Sequence, residues 1–371
     1  MDKDILARVV KLRHELHRHP ELARREVWTK QRLIDFLKQN TSLELVDRGS
    51  WFYAVYRAGT DKPNIAFRAD FDALPIDETI TLPHGSQFPG IAHKCGHDGH
   101  SASLAGFALE IDRKGADKNV YFVFQHAEET GEGAAECASL MDEAGIGEIF
   151  CYHNAPGLPE NAVGVKDGVA CCASTGMIIR FKGVPCHASQ PEDGRNPAFA
   201  MAELVLGIPE FTKAADYRGL AMCTVICIRA GEEAFGMSAS QGSLMLTIRA
   251  EYDEELEKLR QKLEGKTREL AERDGLDYDL SFRDTFPATV SHKKSADKLR
   301  QAAKGLGLRV LEGDSPLRGS EDFGRFTQRT QGAFFSVGCG EDHPPLHTDA
   351  YDFNDRIIPA AVDLYMALVK A

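Results

Sequence analysis

The strongest constraint on the fold of this chain is an alternation of short apolar runs with helical patterns. Helical patterns begin near His100 and Gly133, between runs too short to be helices. Strands that alternate with helices predict an α/β fold with a mostly parallel sheet covered by helices. Four runs have the length and composition of buried strands: WFYAVYRA (51–58), NIAFRAD (64–70), NVYFVFQ (119–125) and EIFCYH (148–153).

The middle of the chain has a different order of predicted strands and helices. The order strand, helix, strand, strand, helix, strand is that of a ferredoxin-like α+β domain. After it the α/β pattern resumes, with the strand AFFSVG (333–338) and a final helix over 355–370. We therefore predict one α/β domain, residues 1–173 and 287–371, interrupted by a domain over 174–286. The elements predicted within the insertion are strands at 177–183, 221–230, 243–252 and 278–286 and helices near 197–210 and 253–272.

Charge and composition exclude several classes of protein. The 371 residues carry a net charge of −12 and no basic run, which argues against nucleic acid and anionic membranes as partners. No apolar run reaches the roughly 18–20 residues of a membrane-spanning helix, and MDKDILARVV does not resemble a secretory signal. Nine cysteines, an odd number, indicate reduced thiols rather than a disulfide framework. We expect a cytoplasmic protein.

One short segment concentrates electron-pair donors. HKCGHDGH, residues 93–100, holds three His, one Cys and one Asp. Cys95 and His97 can face one ion from a tight loop, because Gly96 and Gly99 supply backbone freedom. Alone, such a segment is equally consistent with a polar loop that happens to be rich in His.

Three further donor-bearing loops follow predicted strands or turn residues. Glu128 and Glu129 follow the strand NVYFVF, and adjacent side chains there point to different sides, so that one can bind a metal while the other holds a water. His153 ends a strand, and His347 follows two prolines. In open α/β sheets ligands bind at the carboxyl ends of the strands. The conjunction of four such loops in one domain favours a metal site.

The number of donors bears on how many ions are bound. A single catalytic Zn²⁺ needs only three protein ligands, whereas five are better explained by two ions that share a water. The five are Cys95, His97, Glu129, His153 and His347. Such a site suits attack of water on an unreactive carbonyl, with a free carboxylate as proton carrier.

The remaining histidines receive no functional role. His14, His17 and His19 lie in the first predicted helix and at its end, and we predict that they are solvated surface residues. His84 and His292 have no supporting sequence context.

The motifs resemble the metal-dependent aminoacylases and amidohydrolases. That group includes hippurate hydrolase, the auxin–amino acid conjugate hydrolases and N-acetyldiaminopimelate deacetylase, and it lies in the clan of carboxypeptidase G2 and the dipeptidases. The resemblance covers nearly the whole chain in these motifs: LRHELHRHPEL (12–22), FRADFDALPI (67–76), HKCGHDGHSA (93–102), FQHAEETGEGA (124–134), HNAPGLP (153–159), GVPCHASQPEDGRNP (183–197), TIRAEYD (247–253), GSEDF (319–323) and LHTDAYDF (346–353).

The resemblance implies a role for each site residue. Glu128 is the general base, and His187, in an inserted lid domain, meets the substrate. Asp70 and Asp98 orient ligands. The lid often also mediates dimerisation, so the resemblance implies a homodimer as one arrangement, and His187 then serves either its own or the neighbouring site. The metal ligands implied are Cys95, His97, Glu129, His153 and His347.

The chain departs from its relatives next to the glutamate pair. Thr130 and Glu132 stand where relatives usually have glycines, and His126 stands where many have Pro. These differences affect pocket shape and not the ligand set. The resemblance leaves the two divalent ions open among Zn²⁺, Mn²⁺, Co²⁺ and Ni²⁺, and a thiolate ligand favours Zn²⁺.

Three functions are compatible with these observations. The leading hypothesis is hydrolysis of the amide bond of a small-molecule N-acyl or N-aroyl amino acid. The alternative is a dipeptidase or carboxypeptidase with the same dinuclear site. A non-catalytic binding protein or sensor is disfavoured because Glu128 and every ligand are present. The form CGH of the metal loop resembles the amidohydrolases more than the dipeptidases, which tend to carry Asp there.

Overall fold

The computed structural model describes residues 1–371, which form two compact units. The first unit comprises Met1–Ala170, Thr289–Pro316 and Glu321–Ala371, and the second comprises Cys171–Ala288 with Leu317–Ser320. The sequence gives no indication that the four residues Leu317–Ser320 belong to the second unit. Backbone pairing holds this segment there, since the Cys172 N–H donates to the Leu317 carbonyl at 3.1 Å.

Ten α-helices and fourteen strands make up the two units. In chain order they are α1 Lys3–Arg18, α2 Val27–Asn40, β1 Glu44–Asp47, β2 Phe52–Tyr56, β3 Asn64–Asp70, α3 His97–Lys114, β4 Asn119–Gln125, α4 Gly133–Cys137, α5 Ser139–Glu143, β5 Ile146–Pro156, β6 Val163–Val165, β7 Gly168–Cys171, β8 Ala173–Lys182, α6 Ala198–Phe211, β9 Ala221–Ala230, β10 Gln241–Ala250, α7 Asp253–Asp274, β11 Asp277–Phe286, β12 Thr289–Ser291, α8 Lys293–Gly305, β13 Val310–Glu312, α9 Gly324–Thr327, β14 Gln331–Gly340 and α10 Ile358–Lys370.

The first unit is built on an eight-stranded sheet in the order β1-β2-β4-β3-β5-β14-β6-β13. Its centre is parallel, because β3 pairs in parallel with β4 and β5, and β5 pairs in parallel with β14. The antiparallel pairs β1–β2, β2–β4 and β14–β6 lie outside that centre. The predicted fold class is confirmed. The carboxyl ends of β3, β4 and β5 therefore meet at one edge.

Helix α3 lies inside the first unit rather than on its surface. Every residue from His97 to Ile111 is buried, which follows from small side chains on the face toward α1. A Cβ at Gly106 would lie only 2.8 Å from Val9 Cγ2, so glycine permits the close approach of the two helices. This packing fixes the start of α3, where the motif HKCGHDGH lies.

The second unit is an antiparallel four-stranded sheet in the order β11-β8-β10-β9. Its element order is strand, helix, strand, strand, helix, strand, as predicted for a ferredoxin-like domain. One face is covered by α6 and α7, because Leu244, Leu246 and Ile248 of β10 are fully buried while Met245 between them is 36% exposed. The strand β9 lies at an edge of this sheet.

No helix in the structure combines the length and the apolar character needed to cross a membrane.

Candidate metal centre

The loop before α3 brings Cys95 and His97 to the carboxyl ends of the parallel strands. Gly96 between them has φ of +101°, in the left-handed region that favours glycine. A Cβ at this position would lie 2.7 Å from the hydroxyl of Tyr351. Glycine is therefore required here both by the backbone angle and by the neighbouring side chains.

The five donors predicted from the sequence converge in the first unit. The Cys95 Sγ lies 3.4 Å from Nε2 of His153 and 3.3 Å from Nε2 of His347. The Glu129 Oε1 lies 3.6 Å from Nε2 of His347 and 3.8 Å from Nε2 of His97. Two groups form, Cys95–His97–His153 and Cys95–Glu129–His347, each with its donor atoms within 4.8 Å of one another. Cys95 belongs to both groups.

Two of these donor atoms are buried without any partner. His97 Nε2 and Glu129 Oε1 make no hydrogen bond. A buried polar atom left unpaired is costly unless a ligand satisfies it. The other ring nitrogen of His97, Nδ1, bonds Asp72 Oδ1 at 3.0 Å, the carboxylate–histidine arrangement typical of metal ligands. The residues present therefore fit divalent metal ions.

Electrostatics support the same conclusion. Burial and the nearby Asp72 carboxylate raise the pKa of Glu129 to about 7, against the opposing effect of His97. Burial alone would lower the pKa of His97, yet Asp70 and Asp72 raise it to about 10. Burial and the adjacent carboxylates also raise the pKa of the Cys95 thiol well above its usual value. The pocket holds excess negative charge, which cations would compensate.

Glu128 lies beside the donors, with only 5% of its surface exposed. Its Oε2 is 3.8 Å from His97 Nε2, the same separation as that between Glu129 Oε1 and His97. Burial and the carboxylates of Glu321 and Asp322 raise the pKa of Glu128 well above its usual value, while Arg68 opposes them. Both adjacent glutamates thus reach the same imidazole.

His187 is the one predicted site residue that belongs to the second unit. It is exposed on the loop after β8, and its Nδ1 bonds Ser189 Oγ at 2.7 Å. The loop is tied at its base by pairing of Val184 with Arg195 and at its tip by pairing of His187 with Met237. Its role stays a prediction.

Several residues of the pocket carried no assignment from the sequence. Asp72 holds the His97 ring and also accepts the Glu129 N–H at 3.0 Å. His100 bonds Asp70 at 2.7 Å and Asn154 at 2.6 Å. The available signal was position: Asp72 lies two residues after the end of the strand NIAFRAD, and His100 lies one helical turn after His97.

The two aspartates predicted to orient ligands have different surroundings. Asp70 accepts hydrogen bonds from Arg68 and His100, both at 2.7 Å, and lies 3.9 Å from His97 Nε2. Asp98 instead bonds His17 at 2.8 Å and lies 3.6 Å from Arg13. Asp98 therefore anchors the metal loop to α1.

The prediction that His17 is a solvated surface residue is wrong. Its side chain is fully buried, and its two ring nitrogens bond Asp98 at 2.8 Å and Glu78 at 2.9 Å. His84 is buried as well, 3.1 Å from Asp352. Carboxylates from distant segments compensate the burial of these rings, and the apolar period of α1 gives no information about such partners. His14 and His19 are half-buried.

Comparison with known proteins agrees with this geometry. Residues 66–371 match the model of peptidase family M20/M25/M40. The chain is 29% identical to N-acetylcysteine deacetylase of Bacillus subtilis strain 168, covering 94% of this chain and 93% of that protein. It is 28% identical to hippurate hydrolase of Campylobacter jejuni, covering 98% and 96%.

A solved structure shares the whole fold. A dinuclear metal-binding peptidase of family M20 from Bacillus subtilis superposes with a TM-score of 0.83 at 26% identity, covering 99% of this chain and 98% of that one. The fold and the donor pocket thus define a metal-dependent hydrolase of amide bonds. This chain belongs to peptidase family M20/M25/M40, which confirms the resemblance found in its motifs.

Proposed function

We propose that this enzyme hydrolyses the amide bond of N-acyl or N-aroyl amino acids, releasing a carboxylate and a free amino acid. The observation that carries the proposal is the convergence of five donor side chains beside the buried carboxylate of Glu128. Two relatives, N-acetylcysteine deacetylase and hippurate hydrolase, are named for N-acylated amino acids and align over nearly the full chain.

In the proposed mechanism, the side chains divide into ligands and proton carriers. Cys95, His97, Glu129, His153 and His347 hold two divalent ions. Bound ions of this kind lower the pKa of water and polarise a carbonyl. Glu128 accepts the proton of the attacking water and delivers it to the nitrogen of the leaving amine. His187 donates a hydrogen bond to the carbonyl oxygen as negative charge develops there.

The ligand set also bears on metal identity. We propose Zn²⁺, Mn²⁺, Co²⁺ or Ni²⁺, with Zn²⁺ favoured because a thiolate is a soft ligand. The Cys95 thiolate must remain reduced to bind metal, and this requirement supports a cytoplasmic location.

We further propose that residues 174–286 form a lid domain that also mediates a homodimer, beside a catalytic domain of residues 1–173 and 287–371. The second unit exposes large apolar side chains: Phe199 and Leu206 on α6 are 74% and 80% exposed, and Ile226 and Ile228 on the edge strand β9 are 59% and 50% exposed. Exposed apolar side chains on an edge strand and a helix are typical of an interface between subunits. Light scattering should give about twice the 40.9 kDa of one chain, and Leu206→Glu with Ile226→Glu should halve it.

The substrate class is tested with a panel of amides. N-acetyl-, N-benzoyl- and indoleacetyl-amino acids and dipeptides are assayed with Zn²⁺, Mn²⁺, Co²⁺ and Ni²⁺, and the Glu128→Gln variant, prepared identically, controls for contaminating activity. We expect kcat/KM to be highest for an N-acyl or N-aroyl amino acid. Cleavage of dipeptides with no cleavage of acylated amino acids would establish the alternative, a dipeptidase or carboxypeptidase on the same site.

A further inference from the structure

The loop that carries Glu128 has an unusual backbone at Ala127. This buried residue has φ of +48°, in the left-handed region that a residue with a Cβ rarely adopts. It lies between His126, just after β4, and Glu128. Because such a conformation costs free energy, it persists only where surrounding contacts fix it.

One set of contacts comes from the loop itself. The Ala127 carbonyl accepts the N–H groups of Glu132 at 3.3 Å and Gly133 at 3.0 Å. A Cβ at Gly133 would overlap the carbonyl of His126, so glycine allows the loop to close on itself. These contacts hold the carbonyl side of Ala127 and leave its N–H pointing the other way.

That N–H is held by a residue distant in sequence. It donates to Glu26 Oε1 at 2.8 Å, and Glu26 is only 6% exposed. Glu26 immediately precedes α2 but does not cap it. Glu21 caps α2 instead, accepting the N–H groups of Trp28 at 3.1 Å and Thr29 at 2.8 Å. The Glu26 carboxylate is thus directed at the loop of Glu128.

The same segment makes a second attachment to this loop. Arg24 donates to Glu132 at 2.8 Å and contacts His126 Nε2 at 3.2 Å, and it also pairs with Glu136. His126 and Glu132 are two of the positions at which the motif departs from the usual pattern of the family that it resembles. Arg24 thus attaches the segment of Glu26 to the loop of Glu128 a second time.

The amides on both sides of Glu128 are consequently fixed by carboxylates from other segments. Glu26 accepts the N–H of Ala127, and Asp72 accepts the N–H of Glu129 at 3.0 Å. We propose that Glu26 is a positioning residue for the general base: by holding the Ala127 N–H it maintains the left-handed turn that aims Glu128. The inference rests on the proposed function of Glu128 and extends it to a residue that touches neither substrate nor metal ligand.

Three variants of Glu26 test this role. Glu26→Gln keeps an oxygen that accepts the Ala127 N–H, and its kcat should stay within about threefold of wild type. Glu26→Asp is too short to reach that N–H, and Glu26→Leu has no acceptor; each should lower kcat roughly 10–100-fold, since a displacement of about 1 Å of a catalytic group costs up to about 10²-fold. KM and metal content, measured by elemental analysis, should be unchanged, because Glu26 contacts neither substrate nor ion.

Glu21 supplies the matched control at the start of the same helix. Glu21→Leu removes the cap of α2 and should lower Tm by a few degrees without changing kcat. All kcat values are taken per folded, metal-loaded enzyme, and Glu26→Asp remains informative if Glu26→Leu fails to fold, because it keeps a carboxyl group.

Three results would overturn the role of Glu26. These are a wild-type kcat in Glu26→Asp, a Glu26→Gln variant as slow as Glu26→Asp, and a fall in activity that follows loss of metal. The assay uses the amide that wild type cleaves fastest, so that failure of wild type to cleave acylated amino acids rejects the substrate proposal and not the role of Glu26.

Discussion

The pocket of metal donors in the first unit and the loop of His187 in the second unit differ in the burial and hydrogen bonding of their side chains. In the pocket, His97, Asp72 and Glu128 are at most 5% exposed, and Asp72 bonds both the His97 ring and the Glu129 N–H. On the loop, His187 is exposed, and its ring bonds only the hydroxyl and the N–H of Ser189, two residues away. The comparison teaches that a buried charged site is compensated by its neighbours at most atoms, so that its unpaired donor atoms mark where ions fit, whereas an exposed imidazole remains free to be repositioned.

This contrast separates two kinds of mutational effect. Changes at the metal donors of the pocket should alter metal binding together with activity, because these side chains and their neighbours compensate one another. A change at His187 should alter mainly the rate, since its exposed ring bonds only Ser189 of the same loop.

The largest effect is expected within the pocket, at the two glutamates. Glu128→Gln keeps the shape of the side chain but cannot accept a proton, so kcat should fall at least roughly 10²–10⁴-fold with metal retained. Glu129→Gln should instead lower metal content in the same elemental analysis. The reverse pattern, metal lost in Glu128→Gln and kept in Glu129→Gln, would exchange the two roles.

The loop should show a smaller effect, confined to the rate. His187→Ala removes the hydrogen bond proposed for the developing oxyanion and should lower kcat about 10²–10³-fold. Metal content, Tm and product binding should match those of wild type. Unchanged kcat would make His187 a structural residue, and partial activity on mixing His187→Ala with Glu128→Gln would place it in the neighbouring subunit's site.

The smallest effect is expected on the free energy of unfolding, through the titration of His17. Burial lowers the pKa of His17, but hydrogen bonds to Asp98 and Glu78 outweigh it and raise the pKa to about 9. In the unfolded chain the value is about 6.5. The resulting stabilisation is fully present below about pH 6.5 and is lost as the pH rises through about 9, by no more than roughly 3 kcal/mol.

Urea unfolding between pH 6.5 and 9 measures this loss. His17→Gln should flatten the decline in the free energy of unfolding, while His187→Ala should follow wild type. An equal slope in His17→Gln and wild type would show that His17 does not carry the effect.

Much of the first unit follows from local sequence pattern. The strands predicted at 64–70 and 119–125 have those bounds in the structure, because each is a buried apolar run that ends in polar residues. The short strands β6 and β13, three residues each, were not predicted, since their pairing with one another is a tertiary contact rather than a property of the residues.

The five candidate ligands follow from donor type and strand ends, but the residues that support them do not. Asp98 reaches His17 across 81 residues of sequence, and Glu26 reaches Ala127 across 101. Periodicity reports which face of an element is apolar, and it contains no information on which distant carboxylate compensates a buried ring or amide. For the same reason, no role was assigned to Asp72 from the sequence.

The burial of α3 has a consequence for motion. From His97 to Ile111 every residue of this helix is buried, so we expect its amides to exchange with solvent mainly when the first unit unfolds as a whole. Helix ends ordinarily fray, yet here the amino-terminal end is among the enclosed residues. Cys95 and His97 are thus attached to a helix that we expect to exchange slowly, and deuterium uptake at the metal loop should report global unfolding rather than local opening.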